Sequence, residues 1–246
     1  MKQMKAKGWL LLGAGLGLVL ALKVLADGVG TRPATAEEKE FYKSVYDTIV
    51  KALPPGPAGW TNTGDSSSVK ELKNTDMGSE KYPRKVDYWG SWQDNQKLQE
   101  SQLKLAEAMK DIAKVPPAQI EQYVKDTTMK AAAKDTTLRM DVKANTLYQG
   151  FYGKFTQQPA IAGGQVFRSD SKFNNDGGWE EGVTYVFLGK NWKQVTKGGD
   201  YMEAAAEKAL PSLAVQTIMV QIKGDPERAK QILDKTNWEA LKKLLK

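Results

Sequence analysis

The sequence predicts an α+β domain: a mainly antiparallel sheet, helices packed on one face, and an inserted αα-hairpin. Three observations carry that class. Residues 35–53 and 225–245 space their apolar side chains at helical intervals. Residues 137–144 and 213–222 read as strands, the first by alternation and the second as the most apolar of them. Between them, two helical patterns meet at Val115-Pro116-Pro117, which places a helical hairpin at about 93–134.

The chain opens with a segment built for targeting. "MKQMKAKG" carries Lys2, Lys5 and Lys7, an apolar run follows from Trp9 to Leu22, and "KVLA" sets Val24 and Ala26 at positions −3 and −1 of a cleavage site. The run falls short of the ~18–20 residues that span a bilayer, so residues 1–26 read as a signal peptide and 27–246 as a single domain in the periplasm or outside the cell. The alternative is an N-terminal anchor in the inner membrane, with residues 9–26 uncleaved, Gly13 and Gly17 on a G-x-x-x-G face, and the domain facing the periplasm. "LLLGAGLGL" misplaces the third glycine of a dinucleotide loop and lacks its acidic partner. The chain carries +7, but its first 26 residues hold four lysines and no acid, which leaves +3 for the rest. Nothing in that balance asks for nucleic acid. Cysteine is absent, so an exported domain of this length has to stand on its core without disulfides.

Residues 27–34 form a lead-in. Thr35 and Glu38 have capping-box spacing, and Phe41, Val45, Ile49 and Leu53 line one face of the helix that follows. Pro54 and Pro55 end it. "ALPPGPAGWT" (52–61) then reads as a rigid corner: prolines hold the chain extended, glycines let it turn, and Trp60 opens the first strand and packs under the helix just left. Residues 61–81 are polar and turn-rich, a long loop or ragged hairpin. "RKVDYWGSW" (84–92) alternates as a strand.

In the hairpin, Leu98, Leu105, Met109 and Ile112 form one stripe, and Ile120, Val124 and Ala131 form the buried side of the second helix. After strand 137–144, "NNDGG" (174–178) marks a β-hairpin turn between "GQVFRSDSKF" and "GWEEGVTYVFLGKNW". "LAVQTIMVQI" (213–222), the most apolar strand, belongs at the centre of the sheet. Asp225 caps and Pro226 begins the next helix, and "NWEALKKLLK" closes the chain with Trp238, Leu241 and Leu245 as anchors.

"ALPPGPAGWT", soon after a signal peptide and one helix, resembles the Leu-Pro, Pro, Gly-Trp signature of a group of uncharacterised exported bacterial proteins. "VQIKGDPERAKQILDKTNWEALKKLL" is similar to their close of strand, Gly-Asp turn, helix and Trp-containing end, with Thr236-Asn237 where their pattern has an acid. The resemblance touches about a quarter of residues 27–246 and omits the hairpin. It implies an exported α+β domain and no activity.

The chemistry is bounded by what is missing. With no His and no Cys, the chain has no Ser-His-Asp triad, no thiolate nucleophile and no imidazole or thiolate for zinc, copper or haem. "SSVK" (67–70), "SQLK" (101–104) and "SDSK" (169–172) match S-x-x-K, but the accompanying S-D-N and K-T-G elements are absent. Glu180 and Glu181, adjacent on a strand, point apart and read as solvated charges beside a turn. "SDSKFNNDGG" lacks calcium-loop spacing. The expectation is therefore no enzyme, no catalytic residue, no metal and no cofactor, with a carboxylate-dependent hydrolase as the remote alternative.

Aromatic residues supply the one candidate surface. Tyr88, Trp89, Trp92 and Trp179 lie near a strand end and a turn, where exposed rings stack on sugars or apolar ligands or anchor a protein partner. The competing reading buries them beneath helices on one side of the sheet. The expected partner is an unknown protein, small molecule or glycan. Contact with a membrane is expected only through residues 9–26.

Overall fold

A computed structural model of the chain describes residues 31–66, 71–73, 82–151, 153–174, 178–196 and 199–246. The two readings of residues 1–26 lie outside the described residues, as do the motif at 67–70 and the tip of the hairpin at 175–177.

Strand β1 (Thr31–Pro33) leads into helix α1 (Ala36–Ala52) through the expected box. The Thr35 hydroxyl accepts from the Glu38 N–H at 3.2 Å, and the Glu38 carboxylate accepts from the Thr35 N–H at 2.9 Å. Strands β2 (Thr61–Asp65) and β3 (Glu71–Lys73) then stand in the stretch read as a long loop or ragged hairpin, though not paired with each other; β2 pairs with β4 (Val86–Gln93), and β3 with β1. Helices α2 (Asn95–Met109) and α3 (Ile120–Ala131) precede β5 (Thr137–Ala144). Next come β6 (Tyr148–Gly150), β7 (Thr156–Ile161), β8 (Gly164–Ser169), β9 (Lys172–Phe173) and β10 (Trp179–Glu180). The chain closes with β11 (Val183–Gly189), β12 (Trp192–Val195), β13 (Tyr201–Ala204), β14 (Thr217–Gly224), α4 (Pro226–Lys235) and α5 (Trp238–Lys242).

Seven of the strands form one antiparallel sheet in the order β2-β4-β5-β14-β11-β8-β7. β14 is the middle strand, where Ile218, Met219 and Val220 are covered on both faces. On the first face, Val86, Met140, Val142, Val186, Val220 and Ile222 meet Val45 and Ile49 of α1, Ile232 and Leu233 of α4 and Leu241 of α5. The α+β class is thus established.

The second face carries a layer that the sequence reading lacks. A three-stranded sheet, β12-β13-β6, lies over Phe167, Tyr185, Phe187 and Met219, adding Trp192, Met202, Ala204 and the neighbouring Phe151 to a second core. It covers only the half of that face next to β8, β11 and β14. Over β4 and β5 the same face stays polar, with Asp87, Trp89 and Ser91 beside Arg139, Asp141 and Lys143.

The helical pair α2–α3 is an insertion in the connection between two neighbouring strands. Gln93 of β4 pairs with Thr137 of β5, and the Asp94 N–H donates to the Thr136 carbonyl at 2.9 Å beneath the hairpin. Its apolar stripes do not reach the core. No residue of α2 is buried and only Thr127 of α3 is, so Ile120, Val124 and Ala131 do not form the buried side expected of them. The stripes pack on one another instead and stay at most half-buried.

The corner at 52–61 is rigid for a reason other than the one the sequence suggests. Gly56 has φ of 101°, and a Cβ there would sit 2.3 Å from the Trp92 indole nitrogen. The ring beneath the corner is Trp92, 4% exposed. Trp60 is half-buried at the rim of the core, with the Arg228 guanidinium 4.4 Å above its ring.

Candidate functional site

Strand β4 decides where the predicted aromatic residues point. Its register against β5 is unbroken from Val86 to Gln93, so side chains alternate over the whole length. Tyr88 and Trp92 face the helices and Trp89 faces away. Trp92 is therefore core, not surface, and Gly90 serves it: a Cβ at Gly90 would lie 2.6 Å from the Trp92 ring. The missing side chain makes room for the indole to lie flat and does not expose it. Tyr88 is half-buried, 6.0 Å from the Tyr46 ring. Trp89 is half-buried beneath the Arg139 guanidinium, 5.0 Å away, which is itself held by two 2.8 Å bonds to Asp141. Trp179 stands on the small β9–β10 hairpin, edge-on to Phe173 at 5.0 Å, with Lys134 over both rings. The four residues occupy three separate places and make no common surface.

Beside Trp179 lies a feature that the sequence reading misses. The Trp179 indole N–H donates to Glu181 Oε2 at 3.2 Å, and the Thr137 hydroxyl to Oε1 at 3.4 Å. The Asp135 carboxyl lies beside the same group. Burial, and then the negative charge of Asp135, push the Glu181 carboxyl up to about 7. Asp135 has a left-handed backbone, φ 55°, and its Oδ1 is shut off from solvent with no hydrogen-bond donor. Glu181 is therefore not the solvated charge its position beside a turn suggests, whereas Glu180 is exposed and faces Lys172 at 3.6 Å. No periodicity links Asp135 to Glu181. The tertiary fold joins them by bringing the start of β5 beside the approach to β11.

Glu181 lines a cleft of about 590 Å³ on the second face, and Asp135 lines a smaller one of about 360 Å³ at the foot of the helical hairpin. The two acids thus meet at the wall between two clefts and share neither. The larger cleft is bounded by Phe155, Tyr185 and Gln221, by Ser169 and Ser171, and by a ring of charges. Its Asp170 lies 3.9 Å from Arg168. Lys154 and Lys223 have no acidic partner among the described residues. Of the S-x-x-K matches, Ser101 bonds the Ala131 carbonyl and Lys172 is held by Glu180, so neither sets a lysine on a serine. The "SDSKFNNDGG" stretch forms a hairpin, as expected: Phe173 pairs with Trp179, and Asn174 and Gly178 exchange two 2.8 Å bonds.

No family model matches this chain, and neither the curated proteins nor the solved structures yield a match to it.

Proposed function

We propose that the chain is an exported, non-enzymatic binding protein of the bacterial envelope, and that the 590 Å³ cleft is its binding site. The half-covered second face is the observation that carries this reading. A sheet whose first face packs against α1, α4 and α5 leaves a recess on its second face beside the small sheet, floored by Phe155, Tyr185 and Gln221 and walled by hydroxyl and charged groups. Its size is that of a small-molecule or short glycan site. Thermal-shift screening against polar metabolites and oligosaccharides tests it, beside Gln221→Trp, which plugs the recess. A ligand should raise the melting temperature of the parent and not of the variant. Stabilisers that act equally on both, or none at all, would remove the cleft from consideration.

Export rests on the basic, apolar and small-residue order of residues 1–26 and on the likeness of "ALPPGPAGWT" to exported proteins. Intact mass of the secreted fraction should give a chain that begins at Asp27. Full-length chain found only in membranes would instead support the anchored accessory subunit. The carboxylate-dependent hydrolase has the Asp135–Glu181 contact in its favour, but carboxyls in contact leave no room for a substrate between them, and they open on different clefts.

A further inference from the structure

The groups left over in the larger cleft define a ligand chemistry, an inference that rests on the cleft being the binding site. Each of its acids has a cation or donor near it. Asp170, itself exposed, lies 3.9 Å from Arg168, Glu180 lies 3.6 Å from Lys172, and Glu181 takes bonds from Trp179 and Thr137. Its Thr156 hydroxyl is also used, accepting from Gln158 at 3.0 Å while bonded to the Arg168 carbonyl at 3.3 Å.

The serines differ. The Ser171 oxygen accepts from the Gly182 N–H at 2.8 Å and the Ser169 oxygen from the Val183 N–H at 3.2 Å. A hydroxyl that accepts one bond keeps its own hydrogen to donate. With the ammonium groups of Lys154 and Lys223 and the amide of Gln221, the free groups of the cleft are predominantly donors.

We propose that the cleft binds a small organic oxyanion, a carboxylate or phosphate ester, between Lys154 and Lys223 and the Ser169 and Ser171 hydroxyls. Phe155 receives the uncharged part of the ligand. That ring is half-buried and stacked at 4.7 Å on Phe151 of the second core, so it offers one fixed apolar edge to the recess. Charge-assisted bonds to an anion exceed neutral ones in strength, so charge rather than hydroxyl pattern selects the ligand.

Isothermal titration of the full chain with citrate, glycerol 3-phosphate, inorganic phosphate and, as the neutral control, glucose tests this. At least one organic anion should bind. Its affinity should fall tenfold or more in Lys154→Gln/Lys223→Gln, with the melting temperature unchanged because both lysines are exposed. Binding should also weaken with added salt. Citrate alone would assign a carboxylate, and glycerol 3-phosphate alone a phosphate ester. Glucose bound equally by parent and variant would overturn the anion while leaving the cleft a binding site. Titration without heat for any anion, or anion binding indifferent to both lysines, would overturn the proposal whatever the outcome of the cleft-plugging test.

Discussion

Asn145 holds three chain segments together with one side chain. Its amide nitrogen donates to the carbonyls of Arg84 at 2.8 Å and Ala214 at 2.9 Å, and its oxygen accepts from the Gln216 N–H at 2.7 Å. It is buried and left-handed, φ 61°, a backbone that Asn tolerates better than most residues. Asn145→Ala should cost about 2–4 kcal/mol, because two carbonyls and one N–H lose their partner in a dry site. Urea unfolding measures it, and a loss under ~1 kcal/mol would mean that water replaces the amide. Urea also separates the two tryptophans of the corner. Trp92→Ala should cost about 3–5 kcal/mol and half-buried Trp60→Ala about 1–2 kcal/mol, since less area returns to water. The reverse order would put Trp60 at the centre of the corner.

At the scale of elements, the helical hairpin and the sheet are separable. α2 and α3 bury little beyond each other, yet Asp94 and Thr136 already bridge the strands from which they spring. Local stability follows buried contacts, so amide hydrogens of α2 and α3 should exchange well before those of β14 and β5. Replacing residues 96–131 with a short Gly-Ser turn should leave a cooperatively unfolding domain. Simultaneous exchange across hairpin and sheet, or an insoluble deletion, would show that the hairpin belongs to the core after all. The periodicity of residues 93–134 made the helices legible. What they pack against was not, because an apolar stripe specifies that a face be covered and leaves its partner open.

For the whole molecule, two carboxyls of opposite behaviour set the pH range of stability. Bonds from Arg32 first, then the Thr35 N–H and the charge of Arg84, outweigh burial and hold Glu38 down to about 2. Arg84 Nε lies 2.9 Å from Glu38, at an angle that makes it an ion pair more than a hydrogen bond. A lowered folded value means that this stabilisation is whole above the ordinary value of 4.5 and fades as pH falls toward 2. Glu181 runs the other way. Raised from 4.5 to about 7, it keeps a proton that the unfolded chain has given up, so its contribution is whole below 4.5 and fades as pH rises to 7. Melting temperature should therefore peak in mild acid. Glu181→Gln should flatten the fall toward neutrality. Glu38→Gln should flatten the acid limb and cost about 3 kcal/mol by taking the carboxylate away from buried Arg84 and from Arg32. A Glu181→Gln profile that still declines between pH 5 and 7 like the parent would assign that decline elsewhere.

The sequence by itself determined what depends on neighbours along the chain. The Thr35–Glu38 box, the proline stop at 54–55, the Asp225-Pro226 start and the central place of β14 each follow from bonds, sterics or burial within a few residues. Tertiary structure alone decided which groups meet. β13, a strand of only four residues, finds its place only against β6 and β12, so the second core could not be read ahead of the fold. Three residues along a strand is an odd step, which put Trp89 and Trp92 on opposite faces once β4 ran on to Gln93. The Asp135–Glu181 contact and the cleft beside it lie between segments distant in sequence. Long-range contacts of that kind are fixed by how layers pack, and local composition carries no trace of them.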